Sequence, residues 1–231
     1  MKMFSSLLAV ILVMAMVGNV VAQDDEEEYV KDFMEVAVYF GGAVPMGGLS
    51  DWSTTNLETG TEQIGTKFGF NTGFDVGHFL TMNLVLGLNF HYSQFAVDSD
   101  STAVADMKHR IYSPALYVKY YFSGESNLVP YIRGQAGVDI LKYATRVYDP
   151  NVDQGSFEYR ELSYDPAFAF AFGAGLFYYT HDFGGLYIEA NYRTALSSDV
   201  EAGYEGRSYS FGETASTLDV HAGIKVFFGS D

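Results

Sequence analysis

Twelve residues near the C-terminus, Thr217 to Phe228, alternate without a break. Leu218, Val220, Ala222, Ile224, Val226 and Phe228 fall on one side; Thr217, Asp219, His221, Gly223, Lys225 and Phe227 fall on the other. Successive side chains of a strand point to opposite faces, so one face is wholly apolar and the other carries charge. A half-buried strand of a water-soluble sheet shows the same alternation, and length separates the two cases. A membrane-crossing strand needs about 9–11 residues at a tilt of about 45°, and this run supplies them. Its apolar face is then expected to meet lipid and its polar face a lumen, as the closing strand of a barrel.

Seven further alternating runs precede it. Val36, Val38, Phe40, Gly42 and Val44 begin the series, and runs follow over 67–79, 84–93, 110–122, 130–141, 167–179 and 186–193. Pro114 lies inside one run, where its missing N–H predicts a local bulge. The connections alternate in length. Polar stretches over 45–65, 97–108, 142–165 and 197–215 contrast with short turns near 80–83, 123–128 and 181–185. Long loops at one end and tight turns at the other mark an up-and-down membrane barrel, whereas a β-sandwich has no reason to alternate them. The outward faces also sort by depth. Phe68, Phe70, Phe90, Tyr92, Phe168, Phe170 and Tyr192 gather toward the long loops; Tyr120, Phe122, Tyr178 and Phe228 gather toward the turns. Between these two girdles the pattern predicts Leu, Val, Ile, Ala and Gly, as a bilayer requires.

Composition bears on address and partners. Residues 1–22 read as a secretory leader: Lys2 is followed by an apolar run from Leu7 to Val17, and Val20-Val21-Ala22 offers small residues for cleavage near Ala22. Residues 23–33 hold the acidic run Asp24 to Glu28, expected as a solvated tail on the periplasmic side. Past Ala22 no apolar run is long enough for a spanning helix. The chain has no cysteine, so neither a disulfide nor a lipoprotein anchor is expected. Removing Lys2 with the leader leaves 12 basic against 29 acidic side chains, a balance of −17. Such a charge argues against nucleic acid, whose phosphates need Lys and Arg.

The inward face is predicted to carry Glu35, Lys67, Asp75, Lys119, Arg133, Asp139, Glu189, Arg193, Asp219 and Lys225, five acids and five bases. Eight strands enclose a bore just wide enough for side chains to fill. Charges held there must be paired, since an unpaired one is costly. The expectation is an interlocked network that plugs the barrel, with each base meeting a carboxylate on a neighbouring strand and Lys225 lying near Glu35. The alternative is an ion or proton path.

With Lys119-Tyr120-Tyr121-Phe122, Pro130-Tyr131-Ile132 and Phe172-Gly173-Ala174-Gly175, residues 34–228 resemble the OmpA/OmpX-like outer-membrane β-barrels. That resemblance implies an all-β, eight-stranded antiparallel up-and-down transmembrane barrel in the cell outer membrane. It also implies contact with outer-membrane lipid and lipopolysaccharide, passage through periplasmic chaperones and the barrel-insertion machinery, and an unknown surface ligand at the long loops. Two departures stand out. Gly229-Ser230-Asp231 follows Phe228, where family members usually stop at the aromatic residue, and no peptidoglycan-binding domain follows the barrel. The expected role is structural or in cell-surface interaction, with no enzyme activity. A narrow channel or OmpW-like conduit for small or hydrophobic solutes, or a lipid A-modifying enzyme, are the alternatives.

Two local motifs bear on chemistry. His91-Tyr92-Ser93 resembles the His-x-Ser pairing of eight-stranded lipid A deacylases, but it points inward and no acid is evident beside it; an inward polar pair is expected. Asp149-Pro150-Asn151-Val152-Asp153-Gln154-Gly155 resembles the start of a calcium loop. Its glycine falls one place late and Arg160 stands where a bidentate Glu belongs, so turn chemistry is expected instead. The five histidines show no metal-ligand spacing, and no metal or cofactor is expected.

Overall fold

A computed structural model describes residues 33–50, 53–56, 60–63, 65–98, 108–122, 126–148, 157–163, 166–181, 183–196, 207–210 and 215–229. The leader and most of the acidic tail lie outside these residues, as does the 149–155 segment. The strands are β1 (Met34–Gly47), β2 (Ser53–Asn56), β3 (Gly60–Gln63), β4 (Gly65–Phe79), β5 (Leu84–Asp98) and β6 (Lys108–Tyr121). They continue as β7 (Leu128–Tyr148), β8 (Phe157–Ser163), β9 (Ala167–His181), β10 (Gly184–Leu196), β11 (Arg207–Ser210) and β12 (Ala215–Phe228).

Eight of these close a ring in the order β6-β5-β4-β1-β12-β10-β9-β7, and β7 pairs back onto β6. Every pairing in the ring is antiparallel, and the seam runs from Met34 opposite Phe228 to Gly47 opposite Ala215. The remaining strands lie in stretches that read as polar loops. β8 pairs with the far end of β7, Lys142 to Tyr148, and β2, β3 and β11 form a separate three-stranded sheet. Such ribbons satisfy their backbones beyond the belt and need no apolar face, so nothing in their hydropathy marks them.

Side chains sort by face as the alternation requires. Along β6 and β10, buried and more exposed positions alternate almost without interruption. Large apolar side chains face outward: Val38, Phe40, Leu88, Leu116 and Ile224 are all more than half exposed. Buried polar and charged side chains face inward. Water would penalise so large an exposed apolar surface, and a bilayer favours it. Aromatic residues are present at both rims, with Phe68 and Phe168 exposed at one and Phe122, Tyr178 and Phe228 at the other. Their sorting by depth is incomplete, because Phe40, Phe74 with its partner Phe90, and Phe172 with its partner Tyr192 are exposed nearer the middle of their strands.

Two local expectations are corrected. Pro114 causes no bulge: it stays opposite Phe90, and the β6–β7 register is the same on either side of the unpaired positions 113 and 114. The register shifts instead in β4, between Thr66 and Gly69, and at the start of β10, between Gly184 and Gly185. Thr66 turns inward and is buried, whereas Lys67 and Phe68 are both exposed. One extra residue reverses the face of everything beyond it. Lys67 therefore lies on the outer wall and not in the lumen.

Ile224 is 55% exposed mid-strand on the apolar face, while Lys225 beside it is fully buried. Ile224→Arg is expected to destabilise the lipid-embedded barrel by about 2–4 kcal/mol. Urea unfolding in phospholipid vesicles reads the effect, and an unchanged midpoint would contradict the assigned faces.

Candidate functional site: the charged lumen

The lumen is layered along its axis. At the short-turn end, Phe227 packs edge-on against Phe177 and Phe79, with ring centroids 5.3 and 5.8 Å away. Val85 and Val129 complete this apolar layer.

Behind it lies Glu35. Its Oε1 accepts hydrogen bonds from Lys119 Nζ at 2.5 Å and the Tyr117 hydroxyl at 2.7 Å, and its Oε2 accepts from the Tyr121 hydroxyl at 2.6 Å. Lys225 Nζ lies 3.7 Å from Oε2 and donates to the Tyr121 hydroxyl. It also sits 4.6–5.1 Å from the ring centroids of Tyr131, Tyr121, Tyr187 and Phe177. That aromatic cage compensates a desolvated ammonium through ring quadrupoles.

At mid-height Arg133 grips Asp75 with both terminal nitrogens, at 2.7 and 2.8 Å, and reaches Glu189 at 3.3 Å. Its guanidinium carbon lies 4.3 Å from the Tyr117 ring centroid. Forked, planar recognition of this kind suits Arg and not Lys. Asn89 donates to Asp75 at 2.8 Å; Tyr131 and Asn191 donate to Glu189 at 2.7 and 2.6 Å. Toward the long loops, Arg193 donates to Asp139 at 3.2 Å and lies 3.9 Å from Asp219. Ser113 also donates to Asp139, and Thr217 to Asp219.

Nine of the ten inward charges read from the sequence thus meet in one network, and Lys67 does not. For Lys119 and Arg133 the pairing differs from the expected neighbour-to-neighbour scheme. Lys119 and Arg133 are themselves cross-strand partners on β6 and β7. Two like charges opposite one another repel, and each is satisfied across the bore. Lys119 on β6 reaches Glu35 on β1, and Arg133 on β7 reaches Asp75 on β4 and Glu189 on β10. These pairs span the lumen, whereas Lys225 on β12 meets Glu35 on the adjacent β1, as expected, and Arg193 on β10 meets Asp219 on the adjacent β12.

Tyrosines facing glycines make the reach possible. Tyr131 stands opposite Gly175, Tyr117 opposite Gly87, Tyr187 opposite Gly223 and Tyr39 opposite Gly73. A β-carbon on Gly175 would lie 2.4 Å from the Tyr131 ring, and one on Gly87 would lie 2.6 Å from Tyr117. Each ring lies flat over its bare neighbour, and the hydroxyls of Tyr131 and Tyr117 reach carboxylates beyond. These hydroxyls, with Asn89 and Asn191, are functional groups that charge counting misses. Inward Tyr paired with inward Gly is the signal that would have found them.

His91 does acquire an acid. Its Nε2 lies 2.6 Å from Ser93 Oγ and 3.6 Å from Asp219 Oδ2, and its Nδ1 contacts the Tyr39 hydroxyl at 3.0 Å. A hydrolytic triad needs the acid on the nitrogen remote from serine, and here both approach the same one. Among the described residues, no three His, Asp or Glu side chains converge as a metal site.

No protein-family model and no curated protein matches this sequence. Solved structures do. Outer membrane protein OprG from Pseudomonas aeruginosa is 13% identical, with a TM-score of 0.54 over 87% of this chain and 98% of that one. The fold is that of the eight-stranded outer-membrane β-barrels. Neisserial surface protein A is 14% identical over 85% of this chain and 97% of that chain, with a TM-score of 0.46. Ail of Yersinia pestis, solved with the heparin analogue sucrose octasulfate, is 16% identical over 83% and 98%, with a TM-score of 0.40.

In an outer-membrane-type barrel a central guanidinium shared by two carboxylates is the part whose loss leaves most charge unpaired. Arg133→Ala is expected to cost about 3–5 kcal/mol, because Asp75 and Glu189 stay buried. Adding Asp75→Asn is expected to recover part of that loss. Urea unfolding of both variants in vesicles measures it; independent, additive costs would contradict the pairing.

Proposed function

We propose that the protein is a structural or surface-interacting barrel of the outer membrane that displays its long loops outside the cell and lets no solute through its lumen. One observation carries this reading: the ion-pair network crosses the bore from wall to wall, with an aromatic layer sealing the short-turn end. Water in such a bore fills separate pockets and forms no continuous column. The reading includes removal of a leader near Ala22, a periplasmic tail over 23–33, delivery by periplasmic chaperones and the insertion machinery, and an unidentified ligand at the loops. It includes no catalysis. His91 engages Ser93 and Asp219 through one nitrogen, deep in a lumen that gives a lipid substrate no approach.

Conductance tests the reading directly. The folded, unmutated protein in a planar bilayer is expected to give no stable single-channel current, whereas Arg133→Ala is expected to give transient leaks. A steady ion-selective current, abolished by lumen substitutions that leave folding intact, would assign a channel instead.

Orientation has its own test. Protease added to intact cells is expected to cut within 142–165 or 197–215 and to spare 123–128. Cuts confined to 123–128 on intact cells would reverse the orientation.

A further inference from the structure

The charges inside the lumen do not balance. Among residues whose side chains are described, five carboxylates face inward, Glu35, Asp75, Asp139, Glu189 and Asp219, against the four cations Lys119, Arg133, Arg193 and Lys225. The excess is local. Toward the short turns Glu35, Asp75 and Glu189 meet Lys119, Lys225 and Arg133, three against three. Toward the long loops Asp139 and Asp219 share Arg193, which lies 3.2 Å from the first and 3.9 Å from the second. Asp139 also takes the Ser113 hydroxyl. Asp219 takes the Thr217 hydroxyl on Oδ2 at 3.2 Å, while its Oδ1 has no hydrogen-bond partner among the described residues.

Solvent does not reach that excess. The apolar layer around Phe227 closes the short-turn end, and at the loop end Leu49, Phe95, Ile111 and Leu141 are all buried. At the height between them β9 turns only Ala169, Ala171 and Gly173 inward, which carry no charge. An unbalanced carboxylate in such a chamber is costly, and a proton on a neighbouring side chain relieves it without any ion crossing the apolar layers.

Two histidines stand close enough to hold one, and their contacts differ. His91 is satisfied as a neutral ring. Asn89 donates to the Tyr39 oxygen at 3.0 Å, which leaves the Tyr39 hydroxyl to donate to His91 Nδ1 at 3.0 Å and His91 Nε2 to donate to Ser93 Oγ at 2.6 Å. His221 has no such arrangement, since neither of its ring nitrogens has a hydrogen-bond partner among the described residues. Its Nε2 lies 3.4 Å from Glu189 Oε1, and it follows Asp219 by two residues on the same face of β12. Its ring stacks on Tyr39, with centroids 4.1 Å apart and planes at 22°, a surface that favours a cation. The groups that face it are Tyr39 on β1, Asp75 on β4, His91 on β5, Arg133 on β7, and Tyr187, Glu189 and Arg193 on β10, besides Asp219 on its own strand. Two cations against three carboxylates leave the same single negative charge around it.

We infer that His221 holds a proton in the folded barrel and is the fifth cation of the lumen. Its imidazolium sits between Glu189 and Asp219, where the two halves of the network join, and brings the lumen to five against five. In the unfolded chain the ring is solvated, and an ordinary imidazole is neutral above about pH 6.5. Folding above that pH therefore takes up one proton, so the stability it confers is present at lower pH and is lost as pH rises. The inference rests on the closed lumen proposed above.

Nitrogen-15 NMR of the full-length folded protein in detergent micelles, labelled at histidine, reads the proton. At about pH 7.5, above the ordinary imidazole range, one ring is expected with both nitrogens protonated. That signal should vanish in His221→Gln and turn into that of a neutral ring in Asp219→Asn, which removes the excess carboxylate. A neutral His221 at this pH, or an imidazolium indifferent to Asp219→Asn, would overturn the inference. Urea unfolding of the unmutated protein in vesicles requires no variant to fold. Its folding equilibrium constant is expected to fall about ten-fold for each pH unit above that point, and His221→Lys, whose charge is fixed, to flatten the slope. A flat profile in the unmutated protein would equally remove the proton. Conductance keeps the two readings apart: a neutral His221 in a non-conducting barrel sinks only the proton, whereas a steady current sinks the closed lumen itself.

Discussion

A strand that crosses lipid has no water for its N–H and C=O groups, so the sheet must close on itself. The seam between β1 and β12 meets that requirement along both strands, from Met34 to Gly47. With eight strands in the ring, closure leaves a bore only as wide as the side chains that fill it. The network in the lumen answers that narrowness. Charges that could have met water in a wider barrel are forced to meet one another.

How they meet follows from the layout of the ring. Placing Lys119 beside Arg133 on β6 and β7 would be unfavourable in an open sheet. In a closed one, these two cations face carboxylates on the far wall, and the attraction across the bore outweighs the repulsion beside it. Desolvating so many charges consumes much of what pairing returns. The tyrosine hydroxyls and asparagine amides that fill the remaining carboxylate lone pairs are thus structural necessities rather than embellishments.

Much of this was legible in the sequence, because a period of two is hard to mistake when one face meets lipid. The run from Leu218 to Phe228 alone specifies both faces, and nine of the ten inward charges follow from the same alternation. Lys67 escaped because a bulge adds one residue without any proline to announce it, whereas Pro114 announced a bulge that did not form. Closure of the last strand onto the first foretold that Lys225 lies near Glu35, but the partners of Lys119 and Arg133 escaped for a different reason. Alternation says which way a side chain points, but contact across a lumen depends on stagger around the ring, which no single strand encodes. The ribbon of β7 and β8 carries no apolar stripe, so hydropathy could not distinguish it from a loop.

The tyrosine–glycine pairs also limit how this chain can drift. Tyr131 and Gly175 occupy one space between them, as do Tyr117 and Gly87. Enlarging the glycine while the ring remains produces a clash, and shrinking the ring while the glycine remains opens a void beside a buried carboxylate. Each half of a pair can change safely only after the other has already yielded. Sequences descended from this one should therefore show the two positions changing in step, and the order of those changes should run through intermediates in which both residues are small.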